Sequence, residues 1–409
     1  MEQKRERVVI AAVDTGEYDI EASISELCAL CDTAGAEVVG EIVQNRSHPD
    51  VNAYLGSGKI QETKELCAAL EADLLIVDTE LSATKLRNLE TAIGIDVVDR
   101  TALILDIFAQ AATTAEGKLQ VELAQLNYRL PRLSGMGKAM SRLGGGIGTR
   151  GPGETRLESD RRYIRARIGL LKERLAAMEK HRLQARRGRT KSGIPVVALV
   201  GYTNVGKSSL LNALTGSEVL AEDKLFATLD PTVRKLSVGD LQQVVMVDTV
   251  GFVSRLPHTL VEAFKSTLEE IRYSNLIIMV GDCSSGTWAD QLRVTADVIA
   301  ELGCSDIPTI TIFNKRDKIE TYAALPGISV SAKTGAGLDD LLAEISKKLS
   351  ERVIRCAIKL PFDKLSLAAV IREHGNIISE SYDADGAVIT ATIDRAVYDK
   401  IEPYVTGII

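Results

Sequence analysis

Apolar and polar positions change period along this chain of 409 residues. Up to residue 110, short apolar runs alternate with stretches of helical spacing. Residues 8–13, 37–43, 74–77 and 96–98 read as strands, and 23–34, 60–70 and 83–93 as helices. That alternation predicts an α/β layer on a largely parallel sheet. From 101 to 142 the period is helical, with Leu119, Leu123, Leu126 and Leu130 on one face until Pro131 interrupts it. Between 156 and 189, Leu157, Ile164, Leu171 and Met178 repeat every seven residues, with Ile168 and Leu175 between them. The spacing predicts a helical hairpin or short coiled coil, paired with the helix at 118–133. Residues 191–195 (KSGIP) read as a linker, and strand–helix alternation then returns up to 352. Beyond it, 353–360 and 387–393 read as strands, 364–373 as a helix and 383–386 as a hairpin turn. The divisions expected are 1–110, 111–192, 193–352 and 353–409.

One stretch carries chemistry. The apolar run 196–200 ends at Gly201-Tyr202-Thr203-Asn204-Val205-Gly206-Lys207-Ser208, and a helical run follows. This is G-x-x-x-x-G-K-S between strand and helix. Its glycines let backbone N–H groups turn inward around phosphate oxygens, and the helix N-terminus adds positive charge. Lys207 would reach the β- and γ-phosphates, and the Ser208 hydroxyl would ligate Mg²⁺. Leu225-Phe226-Ala227-Thr228-Leu229-Asp230 reads as a polar, turn-rich, mobile switch. In it Thr228, or else Thr232, supplies a second hydroxyl to Mg²⁺. The strand 244–247 ends in Asp248-Thr249-Val250-Gly251, where Asp248 would hold Mg²⁺ through water and the Gly251 N–H would meet the γ-phosphate.

The strand 309–313 ends in Asn314-Lys315-Arg316-Asp317. The Asp317 carboxylate can accept from both N1–H and N2–H₂ of guanine. Adenine offers neither donor, so the base is read as guanine and the ligand as GTP or GDP. Asn314 would tie this loop to the phosphate loop, the Lys315 stem would cover the base, and Ser331-Ala332-Lys333 would lend an N–H to guanine O6. Phe252, where a water-orienting glutamine often stands, cannot place a nucleophile, so unassisted turnover is expected to be slow. Asn204 could help hold K⁺ near the β/γ bridge; a hydrolysis rate equal in Na⁺ and K⁺ excludes this. No catalytic side chain is assigned.

Two other glycine patterns carry less. Residues 52–59 (NAYLGSGK) have Ala53 for the first glycine and Ile60 for the Ser/Thr, and read as an exposed turn. Gly146, Gly148 and Gly151 fit G-x-G-x-x-G, but no strand precedes them, so a flexible loop carrying Arg150 is expected. Cys28 and Cys31 form a C-x-x-C without a second ligand pair, which suits buried packing rather than zinc. No apolar run approaches the roughly 18 residues of a membrane span, and the N-terminus lacks a signal sequence. A cytoplasmic monomer is the expectation. The net charge of −7 is uneven: residues 156–191 carry thirteen Lys or Arg and four acids, leaving −16 for the remainder. A helix of net charge +9 in an acidic chain favours an RNA backbone over a merely solvated face.

Residues 99–110 (DRTALILDIFAQ), 116–133 (EGKLQVELAQLNYRLPRL) and 144–158 (GGGIGTRGPGETRLE), followed by the phosphate loop, LFATLDPT, DTVGFVSRLP, NKRD and SAK, resemble the HflX family of translation-factor-related GTPases. The resemblance implies four parts: an N-terminal α/β domain, a helical linker with a coiled coil, a P-loop G domain on a mostly parallel six-stranded sheet, and a small C-terminal α/β domain. It implies GTP-controlled binding to the large ribosomal subunit and its rRNA, for ribosome splitting, rescue or subunit maturation. It also implies weak ATP binding by the N-terminal region. The sequence departs from the family pattern at Ala111 and Thr113, where arginines are common, and at Arg156, where glutamine is usual. A GTP-gated regulator that docks on another protein is the alternative. A tRNA-modifying GTPase is disfavoured because Cys356 lies in a strand pattern.

Overall fold

The fold is described from a computed structural model. It describes residues 5–133, 152–191, 194–216, 225–226, 229, 231–238, 242–255, 260, 265–319 and 325–409. The chain divides into two units. The first comprises Met1–Ala176, Glu222–Asp230 and Gly251–Ser266; the second comprises Ala177–Ala221, Pro231–Val250 and Thr267–Ile409.

In the first unit, β1 (Arg7–Asp14) is an interior strand because six consecutive apolar residues, 8–13, are buried on both faces. It lies between β2 (Glu37–Asn45) and β3 (Leu74–Val77), with β4 (Asp96–Asp99) outside β3, and every neighbour is parallel. Helix α1 (Ile20–Ala34) starts where Asp19 accepts from the Ala22 N–H at 3.0 Å and stops at Gly35, whose φ of 87° suits glycine. Helices α2 (Ser57–Ala69) and α3 (Ala83–Ile93) complete the layer.

The expected exposed turn at 52–59 is corrected. Tyr54 and Leu55 are buried, the Tyr54 hydroxyl accepts from the Val13 N–H at 2.9 Å, and Gly56 caps α2. Lys59 sits in α2 paired with Glu62 at 2.8 Å. Of the C-x-x-C pair, Cys31 is buried and Cys28 only half-buried; burial pushes their thiols up to about 12 and about 11.

Two helices, α4 (Arg100–Ala111) and α5 (Ala115–Arg132), lead into the 40-residue α6 (Pro152–Lys191). The heptad positions Ile164, Ile168, Leu171 and Leu175 of α6 pack on Leu119, Leu123, Leu126 and Leu130 of α5. Arg167 adds a two-pronged bond to Glu122 at 2.6 and 2.8 Å. The glycine-rich loop, with Arg150, lies outside the described residues.

The second unit holds a six-stranded sheet in the order β10 (Ile328–Ser329), β9 (Thr309–Asn314), β8 (Leu276–Asp282), β5 (Val196–Gly201), β7 (Gln242–Asp248), β6 (Thr232–Val238). All neighbours are parallel except β6 and β7. Residues 197–200 of the central β5 are fully buried. Helices α7 (Lys207–Thr215), α8 (Lys265–Arg272), α9 (Trp288–Glu301) and α10 (Leu338–Arg352) follow the strands. The C-terminal region is an antiparallel sheet of β11 (Val353–Pro361), β12 (Gly375–Tyr382), β13 (Gly386–Asp394) and β14 (Val405–Ile408), with α11 (Ser366–His374) and α12 (Arg395–Ile401). The spacing had anticipated neither β12 nor β14.

Candidate nucleotide site

The phosphate loop leaves β5 and turns back into α7. Two of its positions tolerate no side chain. A Cβ at Gly201 would stand 2.4 Å from the Val280 carbonyl, and one at Gly206 would stand 2.3 Å from Asn314 Nδ2, where φ is also +89°. Asn204 is exposed and left-handed, with φ 59°. Tyr202, Thr203 and Val205 are buried, and among the described residues the Thr203 hydroxyl has no hydrogen-bond partner. Lys207 is only 6 % exposed; its Nζ donates to the carbonyls of Tyr202 at 2.8 Å and Gly201 at 3.1 Å. Burial pushes this ammonium down to about 8 against the opposing pull of Asp248.

Ser208 opens α7 beside its lysine, and its hydroxyl donates to Asp248 Oδ2 at 2.6 Å. Asp248 ends β7 and is fully buried. A hydroxyl and a carboxylate brought together are hard oxygen donors of the kind Mg²⁺ takes alongside phosphate oxygens and water. Among the described residues no group of three His, Cys, Asp or Glu could hold a metal by protein ligands alone. The Thr249 hydroxyl donates to the Leu199 carbonyl at 2.7 Å, tying the end of β7 to β5. Val250 is buried beside it in sequence, and Gly251 opens the segment that returns to the first unit.

On the base side, Asn314 is the hinge pin. Its Nδ2 donates to the Val205 carbonyl at 2.9 Å and to that of Gly206 at 3.4 Å, while its Oδ1 accepts from the Ala332 N–H at 3.0 Å. One buried side chain thus joins the phosphate loop to the Ser331-Ala332-Lys333 loop. Lys315 takes a left-handed φ of 64° and pairs with Asp282 at 2.7 Å. The Arg316 N–H donates to the Val330 carbonyl. Asp317 keeps its carboxylate exposed but accepts from the Ser331 hydroxyl at 2.6 Å, and that bond holds it below the usual carboxylate range. Lys333 is exposed. Sequence reasoning missed Asp282, although a carboxylate ending an apolar strand is the same signal that singled out Asp248.

The switch at 225–230 departs from expectation. Leu225, Phe226 and Leu229 are buried rather than solvated. The Phe226 ring meets Phe108 of α4 edge-on at 4.5 Å, and the Leu225 N–H donates to the Thr33 hydroxyl at 3.2 Å. The Phe226 ring and the Leu225 N–H anchor this stretch within the first unit. Ala227, Thr228 and Asp230 lie outside the described residues, while Thr232 begins β6 opposite Asp248. Phe252 is 1 % exposed, an apolar ring with nothing to offer a water.

Four sequence families match consecutive stretches: "GTP-binding GTPase N-terminal" at residues 21–109, "GTP-binding GTPase Middle Region" at 111–189, "50S ribosome-binding GTPase" at 196–315 and "HflX C-terminal domain" at 317–397. The GTPase HflX of Caldanaerobacter subterraneus subsp. tengcongensis is 46% identical over 403 residues, 98% of this chain and 94% of its own length. That of Lacrimispora saccharolytica is 47% identical over 408 residues, 98% and 96% of the two chains. A solved GTP-binding protein from Sulfolobus solfataricus in complex with GDP is 25% identical, covering 85% of this chain and 99% of its own, at a TM-score of 0.44. Identities of 46% and 47% to the two HflX relatives over nearly the whole length, with all four regions matched in order, mean that the chain is a GTPase and belongs to the HflX family.

Proposed function

We propose that this GTPase acts on the large ribosomal subunit, as a splitting, rescue or maturation factor working in the cytoplasm as a monomer. The observation that carries the reading is the outer face of α6. Its apolar seam is taken by α5, and Arg162, Arg165, Lys172, Arg174 and Lys180 stand exposed on the rest. Such a face neutralises phosphates and releases their counterions. The family description "50S ribosome-binding GTPase" supports the same partner.

Within this reading, residues 201–208 grip the phosphates of GTP, and Asp317 with the loop 331–333 selects guanine. Ser208 and Thr228 ligate Mg²⁺, with Asp248 acting through water, and Asn204 assists K⁺. Phe252 makes turnover slow until a partner places the water. With boundaries at 110, 192 and 352, the rRNA contact in this reading falls to the first two of four parts.

Co-sedimentation with purified large subunits tests the proposal. The chain should pellet with a non-hydrolysable GTP analogue and not with GDP, and pelleting should fall steeply between about 50 and 200 mM salt. Nucleotide-independent pelleting rejects the switch. Salt-insensitive pelleting favours the alternative, a GTP-gated regulator that docks on protein.

A further inference from the structure

The base side of the nucleotide site rests on the ends of two neighbouring strands of the second unit. β8 and β9 pair in parallel with Asp282 opposite Asn314, so the last residue of one strand stands level with the last residue of the other. The residues that leave the two strands therefore meet. Cys283 follows Asp282, and its N–H donates to the Asn314 carbonyl at 3.1 Å. Lys315 follows Asn314, and its Nζ lies 2.7 Å from Asp282 Oδ2. The strand ends are tied twice, once through backbone and once through charge.

The carboxylate is itself held. Asp282 Oδ1 accepts from the Ser284 N–H at 2.9 Å and from the Ser284 hydroxyl at 2.6 Å, which leaves Oδ2 for the lysine. Only 13% of the Asp282 side chain and 19% of the Lys315 side chain are exposed. A pair so shielded is screened far less than one on the open surface. At its other end Lys315 takes a left-handed φ of 64°, a conformation that a non-glycine residue adopts at some cost and keeps only where its surroundings impose it. The lysine is thus fixed at Cα by the turn and at Nζ by Asp282.

A free lysine side chain is among the most mobile, and a ligand that has to order it loses affinity to rotamer entropy. Its four methylenes are apolar, so a stem stretched between two fixed ends is a standing apolar surface. A planar base can lie on such a surface without first ordering it. Asp317, two residues further on, keeps its carboxylate exposed while bonded to Ser331. The same turn therefore carries a group for the edge of a base and a group for its face.

We propose that Asp282 is a positioning residue for the base. By holding the Lys315 ammonium it keeps the lysine stem extended as a rest for the face of guanine, and so sets how fast nucleotide leaves. The inference rests on the guanine reading given above and divides the labour within it. Asp317 reads the edge and decides which base binds; Asp282, acting through Lys315, decides how long it stays. Because the tether lies on the base side, it serves GDP and GTP alike.

The test is the dissociation rate of a fluorescent GDP analogue from the full chain, with affinities for GDP, a non-hydrolysable GTP analogue and inosine diphosphate measured by calorimetry. Asp282→Asn keeps an oxygen for Ser284 and loses the charge that holds the lysine. It should speed release about tenfold and weaken GDP and the GTP analogue by the same factor. The preference for GDP over inosine diphosphate, which lacks the N2 amino group, should stay within about twofold, since Asp317 is untouched. Lys315→Met, which keeps an unbranched stem and drops the ammonium, tests the tether from its other end and should show a loss of similar size. In the double variant the two losses should not multiply, because the residues act as one device. Unchanged release in Asp282→Asn overturns the proposal. So does a double variant whose loss is the product of the two single ones, since Asp282 would then act only by shaping the loop after β8. A loss confined to the GTP analogue overturns it as well, by placing Asp282 on the phosphates. Failure of the guanine reading itself would show differently, as equal affinity of the unaltered chain for GDP and ADP.

Discussion

Lys207 shows how a single buried ammonium makes the site sensitive to pH. Its proton is held by two carbonyls, at 2.8 and 3.1 Å, in a place water hardly reaches. Burial brings it down to about 8. Because the folded value lies below the unfolded one of roughly 10.5, the unfolded chain binds more protons between the two. The residue's unfavourable contribution to stability is therefore full below pH 8 and eases as pH rises through it. Nucleotide phosphates pull the other way, since they bind the ammonium. Affinity for GDP, measured by calorimetry, should hold near pH 7 and fall about tenfold by pH 9, one unit above that value. A flat profile over that range would remove Lys207 from phosphate binding. Gly206, Lys207, Asp248 and Asn314 were all legible in the sequence, because backbone curvature and phosphate chemistry leave those positions few choices. Asp282 was not. Its partner, Lys315, lies far away in the chain, and nothing in local spacing marks a charge that completes a distant pair.

Among the elements, the α5–α6 hairpin was readable in advance because a seven-residue repeat has to be buried along one seam. Two kinds of contact hold it: the leucine–isoleucine seam, and the Arg167–Glu122 pair with both side chains about a third exposed. Screening limits such a pair to below about 1 kcal/mol, whereas truncating a fully buried leucine costs about 2–5 kcal/mol. Leu171→Ala should therefore destabilise the first unit clearly in urea unfolding, and Glu122→Ala hardly at all. Equal effects would mean that the ion pair, not the seam, sets the pairing. Elements without such a repeat were harder to see. A register shift between Ile377 and Ser379 breaks the alternation of β12, so its period of two never becomes visible. Tyr54 and Leu55 were hidden for another reason. Two apolar residues in a polar loop have no period at all, and only the neighbouring sheet makes them core. The switch stretch hid its burial in the same way, because Phe226 finds Phe108 only in three dimensions.

At the scale of the whole chain, electrostatics decides what can approach. The formal charge of −7 would repel a polyanion, yet residues 156–191 carry +9. Exposed charges further apart than about 8–10 Å are largely screened at physiological salt, so the acidic remainder does not cancel a basic face at contact range. That face should behave as an independent cation toward RNA. Replacing Arg162, Arg165 and Lys172 by glutamate lowers the local charge from +9 to +3 without touching the seam residues that pair α6 with α5. The hairpin should melt as before. Binding to large subunits in the presence of a GTP analogue should weaken at least about tenfold, and its dependence on salt should become shallower by about two to three counterions. Binding that keeps its strength and its salt slope would show that α6 is merely solvated. The positive patch would then owe its composition to solubility, and the contact with any ribosomal partner would have to be sought on the other parts of the chain.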